Sequence, residues 1–121
     1  MIVYAPMSSG MLTGKMTRER VETLPEDDWR RRSERFREPQ LSRNLELVAR
    51  LERVGERHGV SPGAVAVAWT LRNAAVDGAI AGFRRPDQVD PIVAAADLEL
   101  SDEDVAELER PLAATGRVLT V

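Results

Sequence analysis

The apolar positions of the chain first indicate two short strands. Residues 2–5 and residues 79–82 are short, nearly continuous apolar runs, a pattern typical of strands buried in a parallel sheet. We expect the two strands to lie side by side and parallel, joined by a right-handed crossover through a helix at residues 62–72. Two strands cannot close a barrel, and a parallel pair with helices on only one face leaves the other face uncovered.

Between the strands, apolar residues recur at helical spacing. Leu47, Leu51 and Val54 form a stripe that predicts an amphipathic helix beginning near residues 42–44. Gly59 is placed to end this helix, because glycine readily adopts the left-handed conformation found at helix C-termini. The middle of the chain is therefore predicted to be one long helix with a single apolar face.

Three further helices are indicated by the residues that begin them. Ser61 and Pro62 suit the N-cap and first position of a second helix, and Pro86 suits the first position of a third that ends near residue 96. Residues 101–104 resemble a capping box and predict a fourth helix. The side chains expected to face a core from the second and fourth helices are Val65, Ala68, Trp69, Leu71, Val105, Leu108 and Leu112.

A polar segment at residues 17–41 separates the first strand from the first predicted helix. It is rich in charge, contains Pro25 and Pro39, and is too long for an ordinary connection, so it predicts a functional flap or a disordered loop. Its arginines suit either a phosphate or nucleic-acid contact or a solvated loop, and the acidic residues just before them favour the solvated loop. These arginines are Arg30, Arg31, Arg32, Arg35 and Arg37.

Composition narrows the class of protein. The 121 residues are 43% apolar and 31% charged with a net charge of −3, which is typical of one globular domain and gives no overall electrostatic reason to expect nucleic acid. A complete (β/α)8 barrel needs about 250 residues, so a chain of this length can form only part of one. No run reaches the ~20 apolar residues of a membrane span, no signal peptide is recognised, and a cytoplasmic location is expected.

Metal chemistry is not indicated. Cysteine is absent, which excludes disulfides and thiolate metal sites. His58 is the single histidine, and one histidine without cysteine is a poor set of metal ligands. His58 stands beside Gly59, where a helix C-terminus favours a partly charged imidazole, so we expect a capping role. The carboxylates at residues 102–104 are assigned to the N-terminal dipole of the fourth helix rather than to acid catalysis.

The loop after the first strand is the first candidate site. Residues 6–15 read Pro-Met-Ser-Ser-Gly-Met-Leu-Thr-Gly-Lys. Small residues and hydroxyls let backbone N–H groups approach a phosphate closely, and Lys15 adds a positive charge. Ser/Gly turns also follow strands without binding anything, so this loop alone leaves both interpretations open.

The loop after the second strand is the second candidate site. Gly82 permits close backbone approach, Arg84 offers a guanidinium that matches a phosphate, and Pro86 begins a helix whose N-terminus attracts anions. The alternative is an exposed arginine in a helical turn that binds no ligand. Of the two loops, this one has the more specific pattern.

Together, residues 4–15 and 82–88 resemble the C-terminal third of the aldo/keto reductases, and the resemblance extends over roughly residues 2–110. It implies an α/β fold, the C-terminal fragment of a TIM (β/α)8 barrel, with two parallel strands and about four helices in one partial domain over residues 1–121. It also implies an NADPH-dependent oxidoreductase whose complete parent protein reduces a small-molecule carbonyl compound to an alcohol.

The same resemblance assigns six cofactor-binding residues, and the close backbone approach allowed by Gly82 adds a seventh. The seven are Tyr4, Met7, Ser9, Lys15, Gly82, Arg84 and Gln88. It implies that Tyr4 stacks on the nicotinamide ring, that Arg84 meets the adenosine 2′-phosphate and favours NADPH over NADH, and that Gln88 meets the adenine ring. For Tyr4, an aromatic residue in a core strand is the alternative.

Three residues depart from the family pattern. Ala5 replaces a usual serine, and Pro91 and Ile92 stand where an acidic residue and an asparagine are frequent, so the adenine-end contacts look incomplete. Pro91 also removes a backbone donor and is expected to kink the third helix.

No catalytic residue is assigned in this chain. In the family a tyrosine, assisted by lysine, aspartate and histidine, donates the proton, and the resemblance places all four before the part that this chain matches. The chain alone is therefore expected to be inactive. The alternative is a non-enzymatic helical interaction module that reuses barrel parts and self-associates through its exposed strands.

Overall fold

The computed structural model describes residues 1–112. These form two strands and five α-helices in the order β1 (Ile2–Tyr4), α1 (Arg18–Glu22), α2 (Gln40–His58), α3 (Pro62–Leu71), β2 (Gly78–Ile80), α4 (Asp90–Val93) and α5 (Asp102–Glu109). Short 3-10 turns lie at Met11–Thr13, Trp29–Arg32, Glu34–Phe36, Pro86–Gln88 and Ala94–Asp97. No helix in this part of the chain is long and apolar enough to cross a membrane.

β1 and β2 are adjacent and parallel, which confirms the predicted pairing. Ile2 pairs with Gly78 and Tyr4 with Ile80, and the Ala5 N–H donates to the Ile80 carbonyl at 3.2 Å. β2 ends two residues earlier than predicted. The pairing stops there because Ala5 has a φ of 53°, which is incompatible with extended β structure.

The strands are less buried than their apolar sequences predict. Ile2, Tyr4 and Ile80 are 68%, 81% and 61% exposed, whereas Val3 and Ala79, which alternate with them, are half-buried. Successive side chains of a strand point to opposite faces, so the described residues cover one face of the pair and leave the other open.

α2 and α3 supply the centre of the core. Leu51 and Val54 of the predicted stripe are buried, and Gly59 ends α2 with a φ of 67°, as predicted. Ser61 caps α3 by accepting from the Ala64 N–H at 3.2 Å. α3 packs against α2, α4 and the turn at Ala94–Asp97. It is apolar all round, as a helix enclosed by other elements must be.

The segment at residues 17–41 contains α1 and two 3-10 turns rather than a continuous loop. Leu24 and Phe36 are buried, and the Asn44 side chain on α2 donates to the Arg35 carbonyl at 2.8 Å. Two apolar anchors and a hydrogen bond thus hold this polar segment against the helices. The sequence pattern hides them because each apolar residue stands among charged ones.

The third predicted helix is not continuous. Residues 86–97 instead form a 3-10 turn, α4 and a second 3-10 turn. Pro91 lies in the first turn of α4, where its missing N–H is tolerated, whereas in a longer helix it would interrupt the hydrogen bonds. The prediction of one helix to about residue 96 is therefore wrong.

α5 begins at the predicted capping box. Ser101 Oγ accepts from the Asp104 N–H at 3.1 Å, and Asp104 Oδ2 accepts from the Ser101 N–H at 3.0 Å. Asp104 is only 2% exposed and also pairs with Arg57 at 2.7 Å and with His58 at 2.6 Å. His58 therefore joins α2 to α5 through a carboxylate, a contact between distant residues that the sequence does not reveal.

Candidate functional site

A cleft of about 580 Å³ opens between the loop after β1 and the loop after β2. Six of the seven predicted cofactor-binding residues line it: Met7, Ser9, Lys15, Gly82, Arg84 and Gln88. They come from two segments separated by more than sixty positions in the sequence. Parallel pairing brings them together, because it places the C-terminal ends of both strands at the same edge of the sheet.

The first wall of the cleft is a loop with unusual backbone geometry. Ser8, Ser9 and Gly10 have successive φ values of 51°, 57° and 91°. Glycine adopts positive φ freely, whereas the two serines are held there at an energetic cost. In the described part of the chain, the N–H groups of Ser9 and Gly10 have no hydrogen-bond acceptor. Consecutive free N–H groups of this kind can bind an anion.

This loop is fixed by buried apolar side chains. Met11 and Leu12 are fully buried and Met16 nearly so, and the Met11 N–H donates to the Ser8 carbonyl at 3.1 Å. Gly14 allows the loop to approach α3, because a Cβ there would lie 2.8 Å from a ring carbon of Pro62. The backbone facing the cleft is therefore preorganised.

The second wall is the loop after β2. The Gln88 side-chain oxygen accepts hydrogen bonds from the backbone N–H groups of Arg84 at 2.9 Å and Arg85 at 3.2 Å. Arg85 pairs with Asp87 at 3.1 Å, and this contact lowers the pKa of the Asp87 carboxyl. Arg84 lines the cleft and forms no ion pair with any described residue. Its guanidinium is therefore available to an anionic ligand.

The third wall comes from the polar segment that includes Arg30. Asp28 holds this arginine through Nη2 at 2.6 Å and Nε at 3.0 Å, and those hydrogen bonds lower the pKa of Asp28 to about 2. The Arg30 guanidinium lies 6.0 Å above the Phe36 ring and 3.8 Å from a Cβ built on Gly10. Of the five arginines in the cluster, Arg30 is the one that lines the cleft.

The charge around the cleft is predominantly positive. Lys15, Arg20, Arg30 and Arg84 line it together with one carboxylate, Asp87. Cations that share a concave, partly apolar surface attract anions, and guanidinium groups match phosphate oxygens. No group of acidic or histidine side chains suited to a metal ion is found among residues 1–112. The arrangement is therefore suited to binding an anionic organic molecule.

Tyr4 is the predicted residue that the structure does not bring into the cleft lining. Its side chain is 81% exposed at the end of β1, and the next residue, Ala5, begins the cleft wall. The alternative of a core aromatic does not hold for the described residues. Trp29, from the polar segment at residues 17–41, lines the cleft and is 55% exposed.

Comparison with known protein families and curated sequences gives a consistent result. A model of the aldo/keto reductase family matches residues 1–112. The aldo-keto reductase str7 of Strobilurus tenacellus is 29% identical over 109 residues, covering 90% of this chain and 32% of its own length. The aldo-keto reductase yakc [NADP(+)] of Schizosaccharomyces pombe is 31% identical over 107 residues, covering 88% and 31% respectively.

A solved structure shows the corresponding fold. The glycerol dehydrogenase AKR11B4 of Gluconobacter oxydans matches 95% of this chain with a TM-score of 0.75 and 28% identity, over 37% of its own length. The chain thus spans about a third of the length of the proteins it matches. Its two strands and flanking helices correspond to one part of a (β/α)8 barrel, as the sequence predicts.

Proposed function

The chain belongs to the aldo/keto reductase family, and we propose that it is the part of an NADPH-dependent carbonyl reductase that holds the cofactor phosphates. The observation that carries this proposal is the convergence on one cleft of six predicted cofactor-binding residues, two of them cationic, together with the further cations Arg20 and Arg30. Because the chain spans about a third of its relatives, the reduction itself is proposed for the complete protein.

In the proposed complex, different walls of the cleft bind different parts of the cofactor. The free N–H groups of Ser9 and Gly10, with Lys15 beside them, suit a pyrophosphate. The unpaired guanidinium of Arg84 suits a phosphate monoester. Tyr4, exposed at the end of β1, is free to stack on a planar ring. When bound, NADPH would supply the hydride that reduces a carbonyl group to an alcohol.

Cofactor preference follows from Arg84. NADP⁺ differs from NAD⁺ by the 2′-phosphate, so a guanidinium that binds this group discriminates between the two. The name of one relative, the aldo-keto reductase yakc [NADP(+)], agrees with this choice. We therefore propose that the chain binds NADP⁺ in preference to NAD⁺.

Calorimetric titration of the 121-residue chain with both cofactors tests the proposal. Arg84→Ala should weaken NADP⁺ binding by about 1.5–3 kcal/mol, the range for hydrogen bonds to charged groups, and leave NAD⁺ binding nearly unchanged. Arg85→Ala is the matched control, because Arg85 is the neighbouring exposed arginine, pairs with Asp87 and does not line the cleft. Binding should also weaken with added salt. Equal affinities of the wild-type chain for the two cofactors would contradict the proposal.

We further propose that the isolated chain does not reduce carbonyl compounds. None of its residues can be assigned to the family's proton-donating tyrosine or its three assisting groups, and hydride transfer without a proton donor leaves an unstabilised alkoxide. The purified chain should therefore consume NADPH with a test aldehyde no faster than a protein-free control. Turnover by protein prepared free of host reductases would refute this.

The second candidate function is an interaction module that self-associates through its sheet. It is favoured by the exposure of Ile2, Tyr4 and Ile80 on the strand pair, an apolar surface of the kind that marks protein contacts. A folded, obligate dimer in sedimentation measurements, with no affinity for NADP⁺, would favour this function over the first.

A further inference from the structure

The loop that presents Arg84 is held by the side chain of one residue, Gln88. Its oxygen accepts from the backbone N–H groups of Arg84 and Arg85 at 2.9 and 3.2 Å. Because both partners are N–H donors, the amide oxygen and not the nitrogen must face them. The one other backbone hydrogen bond of residues 82–85, within the part of the chain that the structure describes, runs from the Gln88 N–H to the Arg85 carbonyl at 3.2 Å.

The surroundings of this contact separate the two arginines. Arg85 pairs with Asp87 at 3.1 Å and does not line the cleft, whereas the neighbouring Arg84 does. Gln88 is half-buried, and its side chain is a neutral amide. An exposed arginine has many rotamers, and all of them start from the same backbone position. The backbone at residue 84 therefore limits which part of the cleft the guanidinium can reach. The amide oxygen of Gln88 sets that position.

We infer that Gln88 is a positioning residue, which aims Arg84 at the 2′-phosphate by accepting the two backbone N–H groups. This inference rests on the proposed function, since it requires Arg84 to receive that phosphate. It replaces the expectation that Gln88 chiefly contacts the adenine ring. The amide oxygen is already used within the loop, so only the Nε2 group can donate to a ligand.

A double-mutant cycle distinguishes positioning of Arg84 by Gln88 from direct contact of Gln88 with the adenine ring. Gln88→Met keeps the side-chain length and removes the acceptor. It should weaken NADP⁺ binding about tenfold, at the lower end of the range for losing a hydrogen bond to a charged group, and should change NAD⁺ binding less than about twofold. In an Arg84→Ala background the same substitution should have almost no further effect on NADP⁺, because coupled residues are non-additive. If Gln88→Met instead weakens NADP⁺ and NAD⁺ binding equally, and its effect on NADP⁺ adds to that of Arg84→Ala, Gln88 contacts the adenine ring and the inference is overturned.

A second measurement needs no cofactor. Hydrogen exchange at the Arg84 and Arg85 amides of the free chain should be about tenfold faster in Gln88→Met, because local protection follows the hydrogen bond. Gln88→Glu retains an acceptor oxygen and should keep both amides protected. Unchanged exchange in Gln88→Met would overturn the inference whatever the cofactor result. A wild-type chain that fails to bind NADP⁺ would refute the proposed function and the phosphate-aiming role together, while exchange still decides whether Gln88 holds the loop.

Discussion

At the scale of single residues, positive φ angles are concentrated beside the cleft. Ala5, Ser8 and Ser9 hold φ values of 53°, 51° and 57°, and each costs about 1–2 kcal/mol relative to an ordinary conformation. Burial of Ser8, at 2% exposure, and of the methionines that follow it keeps the loop in place. Strain of this kind is commonly found where a protein holds backbone groups ready for a ligand.

Gly59, remote from the cleft, offers a clean measure of such a conformational cost. A Cβ at Gly59 would meet nothing within 4 Å, but its φ is 67°. Gly59→Ala should therefore lower the free energy of unfolding by about 1–2 kcal/mol from backbone strain alone. Gly78→Ala is the matched control, since a Cβ there is equally free and the φ is not positive. Urea unfolding compares the two, and equal stability of both variants would contradict this explanation.

The residue-scale features differ in how far the sequence reveals them. Gly59 was predictable because a glycine directly follows an apolar stripe of helical spacing. The strain at Ala5 and Ser8 was not, since alanine and serine adopt ordinary φ values in most contexts. Ser8 is held here by burial, whereas the exposed Ala5 is held by hydrogen bonds from its N–H to the Ile80 carbonyl and from the Ser8 N–H to its own carbonyl. The sequence also could not show which of the clustered arginines lines the cleft. Arg30 is placed there by its contacts with Asp28 and the Phe36 ring, which form only in the folded chain.

At the scale of elements, α5 is attached to α2 mainly by charged side chains. Asp104 pairs with Arg57 and His58, and Glu107 pairs with Arg53 and Arg57 at 2.8 Å. Burial by itself raises the pKa of Asp104, but hydrogen bonds from Arg57, His58 and Ser101 outweigh it and hold that pKa well below its usual value. The attachment of α5 therefore depends on an ionised Asp104.

Stability should consequently fall at acid pH. A carboxyl whose folded pKa lies below its unfolded value, about 3.9 for aspartate, stabilises the fold above that value, and the contribution is lost as the pH falls through the lowered pKa. Asp104→Asn should reduce the free energy of unfolding by about 1–3 kcal/mol at pH 7 and flatten its dependence on pH below about 5. Asp102→Asn, an exposed carboxylate in the same turn, is the control. Parallel pH profiles of Asp104→Asn and wild type would be inconsistent with this role.

The elements were predicted well where local signals agree. Ser61 with Pro62 and Ser101 with Asp104 are capping patterns that act within one turn, and both helices begin where these patterns place them. The single helix predicted to end near residue 96 was wrong, because Pro91 takes the first turn of the short helix α4 instead of an interior position in a longer helix. For residues 17–41 the sequence left a functional flap or a disordered loop open and did not reveal the anchors, among them Phe36, because these are single apolar residues without periodicity.

At the scale of the whole molecule, one pairing of short strands creates the cleft. Parallel β1 and β2 bring Ser9 and Arg84 to the same opening, and α2 and α3 both pack against the turn at Met11–Thr13 in the first loop. The sequence predicted these two walls through its motifs. For the third wall the sequence left a functional flap open but could not select Arg30, because no local pattern shows that Arg30 folds back over Gly10.

The central claim is that this cleft receives the phosphate groups of NADP⁺, and amide chemical-shift mapping of the 121-residue chain tests it most directly. Added NADP⁺ should shift the amides of Ser9, Gly10, Lys15, Gly82 and Arg84, while the amide of Val105 on α5 stays in place. NAD⁺ should shift the Ser9 and Gly10 amides but leave Arg84 nearly unchanged, since it lacks the 2′-phosphate. Shifts confined to residues outside the cleft, or identical shifts at Arg84 with both cofactors, would contradict the claim.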